Sequence, residues 1–354
     1  MSQTIEKSSG NVNEMRRTLL RGAGSALIVP ALGMTGVAGS LFAGSAIAAP
    51  ALTPLKFAWN QSAFCSTPVA VAKETGIFEK NGLDVTLDNF GGTADQLLEA
   101  LATGKADAAI GMIHLWLKPL ESGFDVKIVG SVHAGCIRLI GYKPANVTKL
   151  EDLRGKTIGV ASMGAPGKHF FSVYFKKHGI DPEKDVVWRA YPRDLLGVAA
   201  EKGEIQAVID QDPQVFVLEK HANGAFVEIA TNRSGEYHNK ICCVVGVQGE
   251  LLRKNKPAAT AVIRSLIEAG EYTAQHPDEG AKIFHKYATG ISLEELQALY
   301  GTLDYHHHPV NTDLRSEIAW FADDFRGIGV LKPSTDPQKF ASAVYADVFD
   351  GAAK

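Results

Sequence analysis

Apolar and polar positions alternate in short blocks along most of the chain. Leu55–Trp59 is an apolar run and predicts a first strand. Thr67-Pro68 then reads as a helix start, with Thr67 as cap and Pro68 at the first helical position, and the helix runs through Lys73 to stop at Gly76. Leu83–Leu87 alternates apolar and polar residues, which predicts a strand with one buried face. A helix over Ala94–Ala102, closed by Gly104, and a strand over Ala106–Gly111 follow. The pattern returns in the middle of the chain. Strands are predicted at Thr157–Ala161, Val186–Trp188, Ile205–Ile209, Phe226–Ile229 and Ile241–Val247, and helices at Lys168–His178 and Arg193–Lys202. From Lys256 the spacing becomes helical: Ala258–His276, Pro277–Tyr287, Leu293–Tyr300, Asp313–Phe325 and Pro337–Val348. Strand–helix–strand units joined by short glycine-marked turns imply an α/β fold with parallel sheets and helices on both faces.

Two such units, followed by helices, suggest two lobes. Lobe one takes residues 49–141 and 245–354, and lobe two takes residues 142–244. The chain is expected to cross near Gly141–Pro144 and to return near Lys240–Val245, so that two crossings form a hinge and the space between the lobes a closing cleft. Residues 1–48 stand apart from this pattern. Arg16-Arg17 precede a charge-free, Gly- and Ala-rich stretch that ends in Ala46-Ile47-Ala48, which reads as an export signal of the twin-arginine type, with an uncleaved anchor as the alternative. The protein is therefore expected outside the cytoplasmic membrane, in the periplasm.

Composition narrows the picture. The 354 residues hold 36 Lys+Arg against 39 Asp+Glu, so there is no basic footprint for nucleic acid, and 45% hydrophobic residues exclude a disordered chain. The four cysteines, Cys65, Cys136, Cys242 and Cys243, are free to form one or two disulfides in an oxidising compartment or to serve as small buried hydrophobes.

Several segments, taken in order, resemble one family. Ala72-Lys73-Glu74-Thr75-Gly76-Ile77-Phe78-Glu79-Lys80-Asn81-Gly82-Leu83-Asp84-Val85 is similar to the opening signature of periplasmic solute-binding proteins for nitrate, sulfonate, taurine and thiamine-pyrimidine uptake. Gly91–Asp95, Gly104–Ala109 and Leu150–Val160 fit the same family's next elements. The resemblance implies a type II periplasmic-binding fold. It also implies a monomer that hands a small molecule to the membrane permease and ATPase of an ABC importer, with no cofactor and no catalysis.

In open α/β sheets ligands sit beyond the carboxyl ends of strands. That rule selects Trp59, Gln61 and Ser62; Gly92 and Thr93; His114; His133 and Cys136; the turn Ser162–His169; and Asp210 and Asp212. The turn Ser162-Met163-Gly164-Ala165-Pro166-Gly167 leads into a helix, whose free N–H groups and dipole suit an anionic group. The resemblance carries ligand contact over to Ser162, Gly164 and Gly167; the alternative is that the glycines only let helix and strand pack closely. Lys168 or His169 can add charge there. Asp210 and Asp212 favour an amine-bearing or zwitterionic ligand over a simple oxyanion, unless Asp212 merely caps the helix beginning at Pro213. Trp59 is suited to stacking on a flat ligand or to the core. His306-His307-His308, joined by His114, His133 and Cys136, is one conceivable metal set, yet no Cys-x-x-Cys or His-x-x-x-His spacing supports it, and a solvated loop is the plainer reading. An exported enzyme on the same fold is the remaining alternative. No nucleophile elbow or phosphate loop appears, and the cysteine cluster of pyrimidine-forming relatives is expected to be lacking, with only the pair Cys242-Cys243 present.

Overall fold

The computed structural model describes residues 51–90, 94–288, 290–303 and 305–350. The expected export segment 1–48 and the candidate ligand residues Gly92 and Thr93 lie outside the described residues.

Ten strands form two five-stranded sheets. In chain order they are β1 Thr53–Trp59, β2 Leu83–Asn89, β3 Ala108–Met112, β4 Val126–His133, β5 Ile137–Tyr142, β6 Thr157–Val160, β7 Val187–Ala190, β8 Ala207–Gln211, β9 Phe226–Thr231 and β10 Cys243–Gln248. The first sheet runs β2-β1-β3-β10-β4 and the second β7-β6-β8-β5-β9. Both sheets share one plan. β1 pairs in parallel with β2 and β3, and β6 with β7 and β8. The fourth strand of each sheet is reversed: β10 is antiparallel to β3 and β4, and β5 to β8 and β9. The sheets are therefore mixed where parallel ones were expected. β5 and β10 are the strands by which the chain enters each sheet from the other, and each is the strand that runs against its neighbours.

The first crossing comes earlier than expected. β5 already belongs to the second sheet, so the chain passes between the lobes at residues 134–136 and not at Gly141–Pro144. The return falls between β9 and β10, at residues 232–242, and Cys243 and Val244 lie in the first sheet.

Helices cover both faces of the sheets. Thr67 does not cap the helix Thr67–Glu74 but is its first residue, and its hydroxyl bonds Phe64 O at 2.9 Å and the Tyr300 hydroxyl at 2.7 Å. Ile113 and His114, just beyond the end of β3, open a helix over Ile113–Glu121. This helix presses the fully buried ring of Trp116 onto the first sheet. Space for the ring comes from Gly111 on β3 and Gly246 on β10, where a methyl group would lie 2.4 Å and 2.5 Å from its nearest ring atom. The long C-terminal helices, Lys256–Gln275 and Asn311–Gly327, wrap the first sheet and bury Val262, Ile263, Leu266, Ile318 and Phe321. No helix among the described residues is long and apolar enough to cross a membrane.

Candidate functional site

A cavity of about 380 Å³ opens between the lobes at the carboxyl ends of β1, β3, β6 and β8. Asn60, Cys65, Ser66, Ile110, Met112 and Leu115 line it from the first lobe, and Ala161, Ser162, Gly164, Ala165, Pro166, Arg193 and Gln211 from the second. On the second side, β6 ends at Val160 and a turn closed by Ala165 N–H donating to Ser162 O leads into the helix Pro166–Lys177. Proline in the first turn suits a helix start because its missing N–H costs nothing there. The remaining first-turn N–H groups have no intrahelical acceptor and carry the positive end of the helix dipole. Gly164 faces open space, with no heavy atom within 4 Å of where its Cβ would stand.

Arg193 is the one charged side chain lining this cavity among the described residues. It stands three positions after the end of β7, a strand end that the sequence rule did not select. Its Nε lies 3.0 Å from Asp210 Oδ2, which leaves other guanidinium donors for a ligand. Leu97, Ile110, Met112 and Leu115 give the opposite wall an apolar surface.

The structure disperses several of the expected ligand residues. Asp210 and Asp212 do not line the cavity. Both are buried; Asp210 faces Arg193, and Asp212 accepts from Arg138 Nε through Oδ1 at 2.9 Å and Oδ2 at 3.0 Å. Burial pushes both carboxyls up, Asp212 to about 6, against the pull of their arginines. Their charge is answered within the protein, which removes the reason for expecting an amine on the ligand. Asp212 is also not a side-chain cap for the helix Gln214–His221.

Trp59 is 2% exposed and packs edge-on against Tyr287 at 5.0 Å, in the core. Gln61 is tied through its N–H to Asn89 Oδ1. Ser62 bonds Asn60 Oδ1 through both N–H and hydroxyl and faces a neighbouring cavity of about 610 Å³. A methyl group on Gly167 would stand 2.6 Å from Ile209 Cγ2 and 3.2 Å from Ile137 Cγ2, so glycine there lets the helix sit close on β8 and β5. Lys168 turns away toward Glu183 and the Trp188 ring. His169 lines a different cavity, with its Nδ1 3.4 Å from His114 O. The three consecutive histidines go to carboxylates: His306 and His308 to Glu271, and His307 to Glu317.

His114 sits in an aromatic box of Phe170, Phe321 and Phe325, with ring centroids 5.3–5.9 Å away. Burial holds it down to about 4. The unfolded chain, with an ordinary histidine near 6.5, takes up a proton below that pH while the native state does not, so stability falls as pH drops from about 6.5 toward 4. The expected loss between pH 7 and pH 5 is about 2 kcal/mol. Urea unfolding at the two pH values checks this: His114→Phe should lose that much less than the wild type, and an equal loss in both would refute it.

The cysteines are the largest departure from the sequence reading. Cys65, Cys136, Cys242 and Cys243 are all buried and free, and they converge instead of leaving Cys242-Cys243 as an isolated pair. His133 joins them, 5.5 Å from the Tyr305 ring. A hydrogen bond from the Cys243 thiol holds Cys65 down to about 6 against burial. Burial lowers His133, but the Cys65 thiol and the cysteine charges beside it raise it on balance.

Residues 63–280 match the family described as NMT1/THI5 like. A relative from Brucella abortus, whose name gives it as a binding protein without a ligand, is 24% identical over 307 residues, covering 82% of this chain and 91% of its own. Among solved structures, the periplasmic aliphatic sulphonate-binding protein of Escherichia coli superposes with a TM-score of 0.70 at 16% identity, covering 83% of this chain and 92% of that one. The periplasmic nitrate-binding protein of Synechocystis superposes at 0.68 and 16%, covering 84% and 87%. The two-lobed periplasmic-binding-protein fold expected from the sequence is thus the fold found, and the chain belongs to the NMT1/THI5-like family.

Proposed function

We propose that this protein is the extracytoplasmic solute-binding component of an ABC importer and that it captures a small organic anion, an alkyl sulfonate or a similar short-chain acid, between its lobes. The carrying observation is the make-up of the cleft. A helix N-terminus and Arg193 stand on one side, an apolar wall of Leu97, Ile110, Met112 and Leu115 on the other, and no carboxylate lines it among the described residues. An anionic head would take the N–H groups and the guanidinium, and an aliphatic tail would cover the apolar wall. Nitrate would leave that wall unused. The ammonium group of taurine would meet no acidic partner. The partners that follow from this reading are a permease and an ATPase, served by a monomer exported through residues 1–48, with no covalent chemistry. Closure is favoured only as far as the ligand touches both lobes.

Calorimetric titration with butanesulfonate, butyrate, taurine and nitrate tests the reading. The alkyl acids should bind most tightly. Arg193→Gln should weaken them about 10- to 100-fold, the range for a lost charged hydrogen bond. Gly164→Trp, at a position with open space, should abolish binding while leaving the melting temperature in place. Unchanged affinity in both variants would put the ligand elsewhere.

A further inference from the structure

Outside the anion-binding wall, the densest chemistry in the molecule lies where the chain passes between its two sheets. His133 ends β4, Cys136 stands just before β5, Cys242 and Cys243 arrive on the return, and Cys65 reaches them from the short helix Phe64–Ser66. Cys65, His133 and Cys243 each offer a ligand atom within 4.8 Å of one another, and so do Cys136, Cys242 and Cys243. The Sγ atoms of Cys136 and Cys242 are 3.3 Å apart, and those of Cys242 and Cys243 3.9 Å. Sulfurs on one tetrahedral ion at about 2.3 Å stand about 3.8 Å from each other, so the thiols are already near ligating separation. The buried ring of His133 has the Cys65 thiol as its side-chain neighbour and no hydrogen bond of normal geometry at either nitrogen, so a ring nitrogen is open to an ion.

The surrounding backbone holds this cluster in place. The side-chain oxygen of Asn232 accepts from the N–H groups of both Cys136 and Ile137 at 3.0 Å. Cys136 is thereby kept at φ 150°, a conformation rare for any residue but glycine. The Ser131 hydroxyl donates to Cys243 O at 2.8 Å, and Ile113 N–H to Cys242 O at 3.0 Å. Fixed second-shell contacts of this sort orient metal ligands. The donors are sulfur and imidazole with no carboxylate in either triad, a set that selects soft ions over calcium or magnesium.

We infer that the hinge carries a thiolate-rich site for a thiophilic d10 cation, zinc(II) or copper(I), built from Cys65, His133, Cys136, Cys242 and Cys243. Cys65 also lines the cleft cavity, which gives the ion its way in. Cys65, His133 and Cys243 belong to the first lobe and Cys136 opens the second, so an ion joining them ties the lobes at their pivot and restrains how far the cleft opens.

The test uses the whole protein, reduced and stripped with chelator, with four thiols counted by alkylation after denaturation. Cobalt(II) serves as the coloured stand-in for zinc. The expected result is a thiolate-to-cobalt charge-transfer band that zinc displaces, a rise in melting temperature with zinc or copper(I), and metal-dependent protection of the native thiols from alkylation. Cys65→Ser and Cys243→Ser should each weaken zinc binding at least 100-fold, on the order of the losses seen even for outer-shell changes. His306→Ala, outside the cluster, should leave it unchanged. Should a serine variant fail to fold, alkylation protection in the wild-type protein decides. Four reduced thiols that take up neither cobalt nor copper(I) would overturn the inference, as would a Cys136–Cys242 disulfide in protein isolated without reductant.

Discussion

Arg138→Ala should destabilise the protein by about 3–5 kcal/mol, the range for breaking a buried ion pair from one side. The Arg138 side chain is almost wholly buried at the start of β5. Its guanidinium holds Asp212 through Nε, Glu228 through one terminal nitrogen and the Thr302 hydroxyl through the other, the last at 2.7 Å. Asp212 is 2% exposed, so removing the arginine strands a carboxylate with no route to water. The sign of the pH dependence follows. Burial already raises Asp212, and without Arg138 the raised carboxyl binds a proton in the native state more readily than in the unfolded one. The deficit of the variant should therefore shrink as pH falls through the folded pKa of Asp212 and grow as pH rises. Arg138→Ala/Asp212→Asn should recover part of the loss at pH 7. Urea unfolding of wild type, single and double variants measures all three, and a double variant no more stable than the single one would acquit Asp212.

Trp116→Ala is the second large effect, also about 3–5 kcal/mol, because it empties a site whose walls are glycines and cannot collapse inward. The informative measurement is the sign of a second substitution. In the wild type, Gly246→Ala drives a methyl group to 2.5 Å from the ring and should destabilise. In the Trp116→Ala background the same methyl enters the vacated space and should stabilise. A double-mutant cycle from chemical denaturation reads the coupling directly. Loss in both backgrounds would mean that the glycine serves the backbone and not the ring.

Periodicity carried most of the fold. The helices Ala94–Ala102 and Leu293–Tyr300 have the limits that the apolar spacing and flanking residues predict, and the strands that were predicted agree to within a few residues, while β5 was not predicted. What periodicity cannot convey is which sheet a strand joins. Ile137–Tyr142 follows Val126–His133 after three residues, yet it lies in the other lobe. The same limit hid the charge balance at the strand ends. Asp210 and Asp212 are visible in the chain, but Arg138 comes beside them only through the antiparallel register that sets it across from Asp210 on β8. The cysteine cluster is invisible for the same reason. Residues 65, 136 and 242 share no local spacing, and only the pairing of β10 with β3 and β4 brings them together. The turn at Ser162 was legible because its chemistry is local: a strand end, two small residues and a proline at a helix start.

The reversed strand β10 also bears on the order in which the protein is made. It occupies a place between β3 and β4, although the ribosome produces it after every strand of the second sheet. The second sheet is one continuous stretch of chain and has all its strands once Thr231 has emerged. The first sheet waits, with a strand missing from its interior, until residue 248, and it lacks the covering helices Lys256–Gln275 and Asn311–Gly327 until the C-terminal segments are complete. Sequence-distant pairing of this kind slows assembly. The lobe that is second along the sequence is the first able to finish, and throughout that interval β3 keeps one edge unpaired and β4 has no strand partner at all.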